Sequence, residues 1–214
     1  MDRVSDIREQ LKTKLENEDF VLDKSGVKTI EIVGSSFIAD EVAIFGKVNW
    51  DYVEKEIDWY TSQSRNVYRM ENPPKVWTEV CDKDGIINSN YGWCIFSEEN
   101  YDQFTNAAYA INNNRDTRRA IMIYTRPSMQ YDYNKNGMSD FMCTNTVQYL
   151  VRDNKIHAIV NMRSNDAIFG YKNDRAWQDH VLMMMANITS YEPGDIIWQT
   201  GSLHVYERHF HLVQ

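Results

Sequence analysis

The stretch NTVQYLVRDNKIHAIVNMRS constrains the fold most. Two strand-like runs, NTVQYLVRD and KIHAIVNMRS, flank a short turn at Asp153-Asn154, so they read as paired neighbours. Helical patterns stand on both sides of them. Val4, Ile7, Leu11 and Leu15 recur at helical spacing over residues 3–17, and Val53, Ile57 and Tyr60 do so over 50–64. Tyr101, Phe104, Ala108 and Ile111 mark a helix that ends in NNNRD, and residues 175–189 return to helix. DKSGVKTIEIVGSSF reads as a Gly-marked turn entering a strand with Ile30 and Ile32 on one face. RAIMIYT reads as further strand, DIIWQTGSLHVYERHF as mostly strand, and Pro73 and Pro74 as a loop. Long helices among paired strands predict an α+β fold. No repeat or linker interrupts residues 1–214, a length that suits one domain able to bury roughly 70% of its unfolded surface.

Composition narrows the function. A net charge of −8 argues against nonspecific nucleic-acid binding, which needs a basic surplus, but leaves room for a local phosphate pocket. Three cysteines, Cys81, Cys94 and Cys143, are an odd number without CxxC spacing, which fits free thiols in a reducing compartment. The N-terminus has the charge and period of a helix rather than of a signal peptide. The apolar run Val181 to Ala186 is too short to span a membrane. A cytoplasmic protein follows as the expectation.

Several residues are candidates for chemistry, each with a plainer reading beside it. Glu56 shares the apolar stripe of its helix with Val53 and Tyr60, so it is paired, neutralised or functional. A satisfied core ion pair is an equal alternative. Arg118, Arg119 and Arg163 sit at strand ends, where guanidinium forks suit phosphate or are simply solvated. His204 and Tyr206 share one strand face, able to grip a sugar hydroxyl or to be half-buried rings. With His209 and His211 they lack a companion thiolate or carboxylate motif, so no metal is expected. Cys143 precedes a strand, as nucleophile or as small core residue. DKSGVKT lacks the glycine and Gly-Lys pair of a nucleoside-triphosphate loop.

Taken in order, these pieces resemble the thymidylate synthase family over nearly the whole chain. DKSGVKT looks like its flexible phosphate loop, with Lys24 in place of arginine, and EIDWY like the helix bearing the catalytic glutamate, Glu56. NYGW supplies Tyr91, and DTRR looks like the pair, Arg118 and Arg119, lent to a partner subunit's phosphate site. MRSND matches the Arg-Ser-x-Asp motif through Arg163, Ser164 and Asp166, and GSLHVY matches the sugar-binding His-x-Tyr through His204 and Tyr206. The resemblance places Asp166 and Trp77 on the folate side. Two departures are informative. Thr144 follows the nucleophile Cys143 where synthases have histidine, and Asp174, within FGYKND, stands where synthases carry the asparagine that reads uracil. Aspartate there is similar to the phage deoxycytidylate hydroxymethylases. The chain stops at Gln214, so the tail that closes over folate in synthases is expected to be missing.

The resemblance implies a mixed, twisted sheet packed with helices, with one sheet face forming a homodimer interface. It implies hydroxymethylation of dCMP with 5,10-methylenetetrahydrofolate as co-substrate, in the host cytoplasm and in company with a phage nucleotide-synthesis complex. It implies no direct contact with nucleic acid or membrane. Thymidylate synthase, CMP hydroxymethylase and a non-catalytic nucleotide-binding paralogue are the alternatives the same motifs leave open.

Overall fold

The periods resolve, in chain order, into β1 (Asp2–Arg3), α1 (Val4–Glu16), β2 (Val21–Leu22), β3 (Lys28–Ile38), α2 (Trp50–Thr61), α3 (Lys75–Val80) and α4 (Tyr91–Phe96). There follow α5 (Gln103–Asn113), β4 (Ile121–Ile123), α6 (Ser128–Asp132), β5 (Thr144–Arg152), β6 (Lys155–Asp166), α7 (Gly170–Thr189) and β7 (Glu192–Tyr206). The computed structural model describes residues 1–23 and 25–213, and Lys24 lies outside the described residues. The chain divides into two compact units, one of Met1–Asn49 with Val151–Gln214, the other of Trp50–Leu150.

The first unit is built on a mixed sheet. β3 runs antiparallel to β7, and β7 parallel to β6, while β1 and β2 pair with β3. A parallel pair needs a crossover, and α7 supplies it between β6 and β7. α7 starts at Gly170, five residues before the predicted start at 175, and no side chain caps that end. The missing cap forgoes about 1 kcal/mol. Burial of Trp177, Val181, Leu182 and Met185 along one stripe contributes on the order of 6 kcal/mol or more and decides the matter. Ile156, Ala158, Val160 and Met162 form the buried row of β6, Ile196 and Trp198 that of β7. α1 packs on β3 through Val4, Ile7 and Leu11. The turn between the two predicted strands holds, with Asp153 (φ 48°) and Asn154 (φ 62°) both in the left-handed region that their short polar side chains tolerate.

The second unit is mostly helical, with β4 antiparallel to β5 at one side. α2 ends at Thr61, short of the predicted residue 64, because Gln63 turns to φ 57° and the Ser62 hydroxyl bonds the Trp59 carbonyl. Only Ile121–Ile123 of RAIMIYT is strand: Tyr124 and Thr125 both donate to the Asn145 carbonyl, and the chain leaves the ladder before Pro127. α4 lies very close to the end of α2. A Cβ on Gly92 would fall 1.9 Å from the Tyr60 carbonyl oxygen, so only glycine allows this approach. Asn90 caps α4 by accepting from the Trp93 N–H at 2.7 Å, and its amide donates to the Trp59 and Ser64 carbonyls.

Candidate active site

In the second unit, Glu56 lies on the inner stripe of α2 and is only 5% exposed. Tyr52, one turn earlier, donates its hydroxyl to Glu56 Oε1 at 2.5 Å, and the Trp77 indole N–H, from α3, reaches the same oxygen at 3.2 Å. Tyr60, one turn later, also bonds the carboxyl. Burial nevertheless dominates. It pushes Glu56 up to about 7, against the opposing pull of these hydrogen bonds. A carboxyl poised there can hold or release a proton near neutral pH. It is a hydrogen-bonded acid, so the ion-pair alternative falls away.

Tyr91 opens α4 in the same unit, stacked on Tyr60 at 5.1 Å and edge-on to Tyr124 at 5.4 Å between ring centroids. It is 4% exposed, an element of the aromatic wall behind Glu56. Trp77 is half-buried, with Trp59 against its edge. A partly open indole beside a buried acid offers a face to a planar ring.

Cys143 occupies the bend before β5, half-exposed between the fully buried Met142 and Thr144. The segment leading to it is fastened by Asp140, whose carboxylate accepts the Asn88 N–H at 2.7 Å, the Ser89 N–H at 2.8 Å and the Ser89 hydroxyl at 2.7 Å. Such a triple grip fixes a loop firmly. Cys94 contrasts with it. That thiol is 1% exposed, and burial pushes it up to about 12 although the Arg126 guanidinium lies 3.6 Å from its sulfur. The core thiol of this chain is thus Cys94, whereas Cys143 has the exposure a nucleophile requires. Arg118 and Arg119 are exposed between α5 and β4. The Arg118 carbonyl is held by the Gln148 amide at 2.9 Å, and the Arg119 N–H by the Thr117 hydroxyl at 3.2 Å, so the backbone is fixed and the guanidinium ends face outward.

In the first unit, β6 carries Arg163, Ser164 and Asp166, and β7 carries His204 and Tyr206. Asp166 and His204 are Cα partners, as are Ser164 and Ser202. Gly201 makes this pairing possible: a Cβ there would fall 2.8 Å from the Arg163 carbonyl oxygen. Asp166 accepts the Ile168 N–H at 2.9 Å, and the Ala167 N–H donates to the His204 carbonyl at 2.9 Å. Those bonds turn the chain from β6 towards α7. The His204 ring is 8% exposed and meets Tyr206 edge-on at 4.8 Å. Burial pushes the ring below the usual histidine range, opposed by Asp166 and Glu31.

Asp174 lies in the second turn of α7, half-exposed. The Asn165 amide donates to its Oδ2 at 2.7 Å. Asn165 is 3% exposed, and its own carbonyl oxygen is enclosed without a partner. One carboxylate oxygen of Asp174 is thereby oriented by a buried donor. Asn165 was legible as part of MRSND but not as a partner of Asp174, because strand alternation aims it to one side and only the start of α7 at Gly170 brings Asp174 back over it. Tyr52 and Tyr60, at i−4 and i+4 from Glu56, could have been found from helical spacing alone.

Among the described residues no cluster of three or more histidine, cysteine or acidic side chains could hold a metal ion, and no helix is long and apolar enough to cross a membrane.

The chain thus carries a mixed sheet with a helical crossover, a buried glutamate pushed up to about 7 and a half-exposed cysteine before a strand. The thymidylate synthase family model matches residues 7–214, and the chain belongs to that family. Within it, the chain is 56% identical to the deoxycytidylate 5-hydroxymethyltransferase of Enterobacteria phage T4, over 98% of this chain and 89% of that protein, and equally to its phage T2 counterpart. The thymidylate synthase of Francisella philomiragia is 26% identical over 89% of this chain and 76% of its own. The fold is that of thermostable thymidylate synthase A from Bacillus subtilis, at a TM-score of 0.76 and 23% identity, covering 99% of this chain and 82% of that one.

Proposed function

We propose that this chain is a deoxycytidylate 5-hydroxymethyltransferase, converting dCMP, 5,10-methylenetetrahydrofolate and water to 5-hydroxymethyl-dCMP and tetrahydrofolate. The observation that carries the reading is Asp174. A carboxylate held by the Asn165 amide at 2.7 Å stands where a uracil reader needs asparagine. An ionised aspartate only accepts, so it pairs with the 4-amino group of cytosine and opposes O4 of uracil. A mispaired buried edge costs about 1–3 kcal/mol, enough to set the base preference. The high identity to the phage T4 enzyme supports the same reading.

Each residue then has a task. The Cys143 thiolate adds to C6 of the base, which breaks the ring's aromaticity and makes C5 nucleophilic. Arg163, and Arg118 and Arg119 from a partner subunit, hold the phosphate with Lys24. Ser164, Tyr91, His204 and Tyr206 orient the nucleotide, and Trp77 and Asp166 face the folate. When bound, 5,10-methylenetetrahydrofolate supplies the one-carbon unit, and it leaves as tetrahydrofolate. Glu56, near neutrality, orients the water whose oxygen becomes the hydroxyl and moves its proton. Expulsion of Cys143 after loss of the C5 proton restores the aromatic ring. One catalytic domain, acting as a homodimer through an open sheet face and working in the host cytoplasm beside other nucleotide-synthesis enzymes, completes the proposal.

Incubation with dCMP, dUMP or CMP plus methylenetetrahydrofolate, followed by the product's mass, tests it. A hydroxymethyl product from dCMP is expected. A methyl product from dUMP, or no product from any nucleotide, contradicts it.

A further inference from the structure

β3 and β7 set Glu31 and His204 opposite each other as Cα partners, with Ser202 two residues before His204 on the same strand. Glu31 Oε1 accepts the hydrogen bond of the Ser202 hydroxyl, and Ser202 Oγ lies 3.2 Å from His204 Nδ1. A hydroxyl has one proton, and an ionised carboxylate has none to offer. If the Ser202 proton goes to Glu31, its oxygen meets the ring only as acceptor. The proton between Ser202 and His204 must then belong to Nδ1. A backbone hydrogen bond between the ring and Ser202 also favours a protonated ring nitrogen. The burial that pushes His204 down, against Asp166, Glu31 and Asp23, keeps the ring neutral near pH 7. A neutral ring protonated on Nδ1 leaves Nε2 as a bare acceptor. The ring's side-chain hydrogen bond among the described residues is made through Nδ1.

We propose that Glu31 and Ser202 are positioning residues that fix the Nδ1–H tautomer of His204, so that Nε2 accepts a hydrogen bond from a hydroxyl of the substrate. Resting on the proposed nucleotide reading, that hydroxyl is the 3′-hydroxyl of the deoxyribose. The relay thus assigns the direction of a contact: the sugar donates and the protein accepts. The neighbouring Tyr206 ring, edge-on to His204, limits the imidazole's freedom to flip.

Two measurements test it and separate its failure from failure of the nucleotide reading. The first is the nitrogen spectrum of histidine-labelled protein without nucleotide, with the His204 signals assigned by their loss in His204→Asn. A protonated Nδ1 and bare Nε2 are expected in the wild type, with a shift towards the Nε2–H form in Ser202→Ala and recovery in Ser202→Thr. An Nε2–H ring in the wild type overturns the relay, even if the variants fail to fold. The second compares binding of dCMP with its 3′-deoxy analogue. Loss of the hydroxyl is expected to weaken binding about tenfold in the wild type, and by less than about threefold in Ser202→Ala and Glu31→Ala. Equal discrimination in wild type and variants overturns the proposal. A wild type that shows the Nδ1–H ring but binds no dCMP overturns the nucleotide reading and, with it, the sugar assignment.

Discussion

At the scale of the residue, Glu56 shows how a cost to stability can serve chemistry. Burial pushes its carboxyl from the ordinary 4.5 up to about 7 in the folded chain. A raised acid favours the fold fully only below the unfolded value, and that contribution is lost as pH rises from there through about 7. Glu56→Gln is therefore expected to be more stable than wild type at pH 8, by about 3 kcal/mol, and to match it near pH 4. Denaturant melts at the two pH values check this, with turnover lost at both. A wild type as stable as the variant at pH 8 would show a carboxylate solvated well enough to ionise normally. Asn165 makes a second residue-scale prediction. Asn165→Ala removes the donor that orients Asp174, and kcat/KM for dCMP is expected to fall about tenfold or more with little change in kcat at saturating dCMP. Glu56 was legible in the sequence as a carboxylate on an apolar stripe. The sign of its shift was not, because that depends on burial outweighing the hydroxyl and indole donors that only the fold assembles.

At the scale of the element, long periodic segments were legible and short ones were not. α1, β6 and β7 follow their patterns because one face of each is almost wholly buried. α3, α4 and α6 have six, six and five residues, too few to show a period. The start of α7 was missed because Phe169 offers no capping side chain, and that miss concealed the turn in which Asp174 sits. Close packing between elements was equally silent. Gly92→Ala is expected to destabilise the protein by about 2–4 kcal/mol, since the new methyl meets the Tyr60 carbonyl and not a flexible side chain. Chemical denaturation measures that loss. A change below about 0.5 kcal/mol would mean that α4 shifts freely on α2.

At the scale of the whole molecule, the family was legible from motifs in order, and the departure at Asp174 is what the chemistry proposed for the candidate site rests on. Cys143 could be read as a core thiol from the sequence, whereas the structure buries Cys94 and leaves Cys143 half-exposed. Arg118 and Arg119 face outward on a fixed backbone, as groups lent to a second subunit must. If each phosphate site borrows them, two inactive variants complement each other. Cys143→Ser mixed equally with Arg119→Ala, after dissociation and reassociation, is expected to recover about a quarter of wild-type activity, because half the dimers are mixed and each has one intact site. No recovery, in a mixture shown to contain mixed dimers, would place Arg119 in its own subunit's site.

The central claim is that a carboxylate at position 174 chooses the base. The ratio of kcat/KM for dCMP over dUMP, measured in wild type and in Asp174→Asn, tests it most directly. The amide can present either a donor or an acceptor, so the wild-type preference for dCMP is expected to fall by at least about tenfold in the variant, with gain towards dUMP. An unchanged ratio would contradict the account and assign base choice to another group.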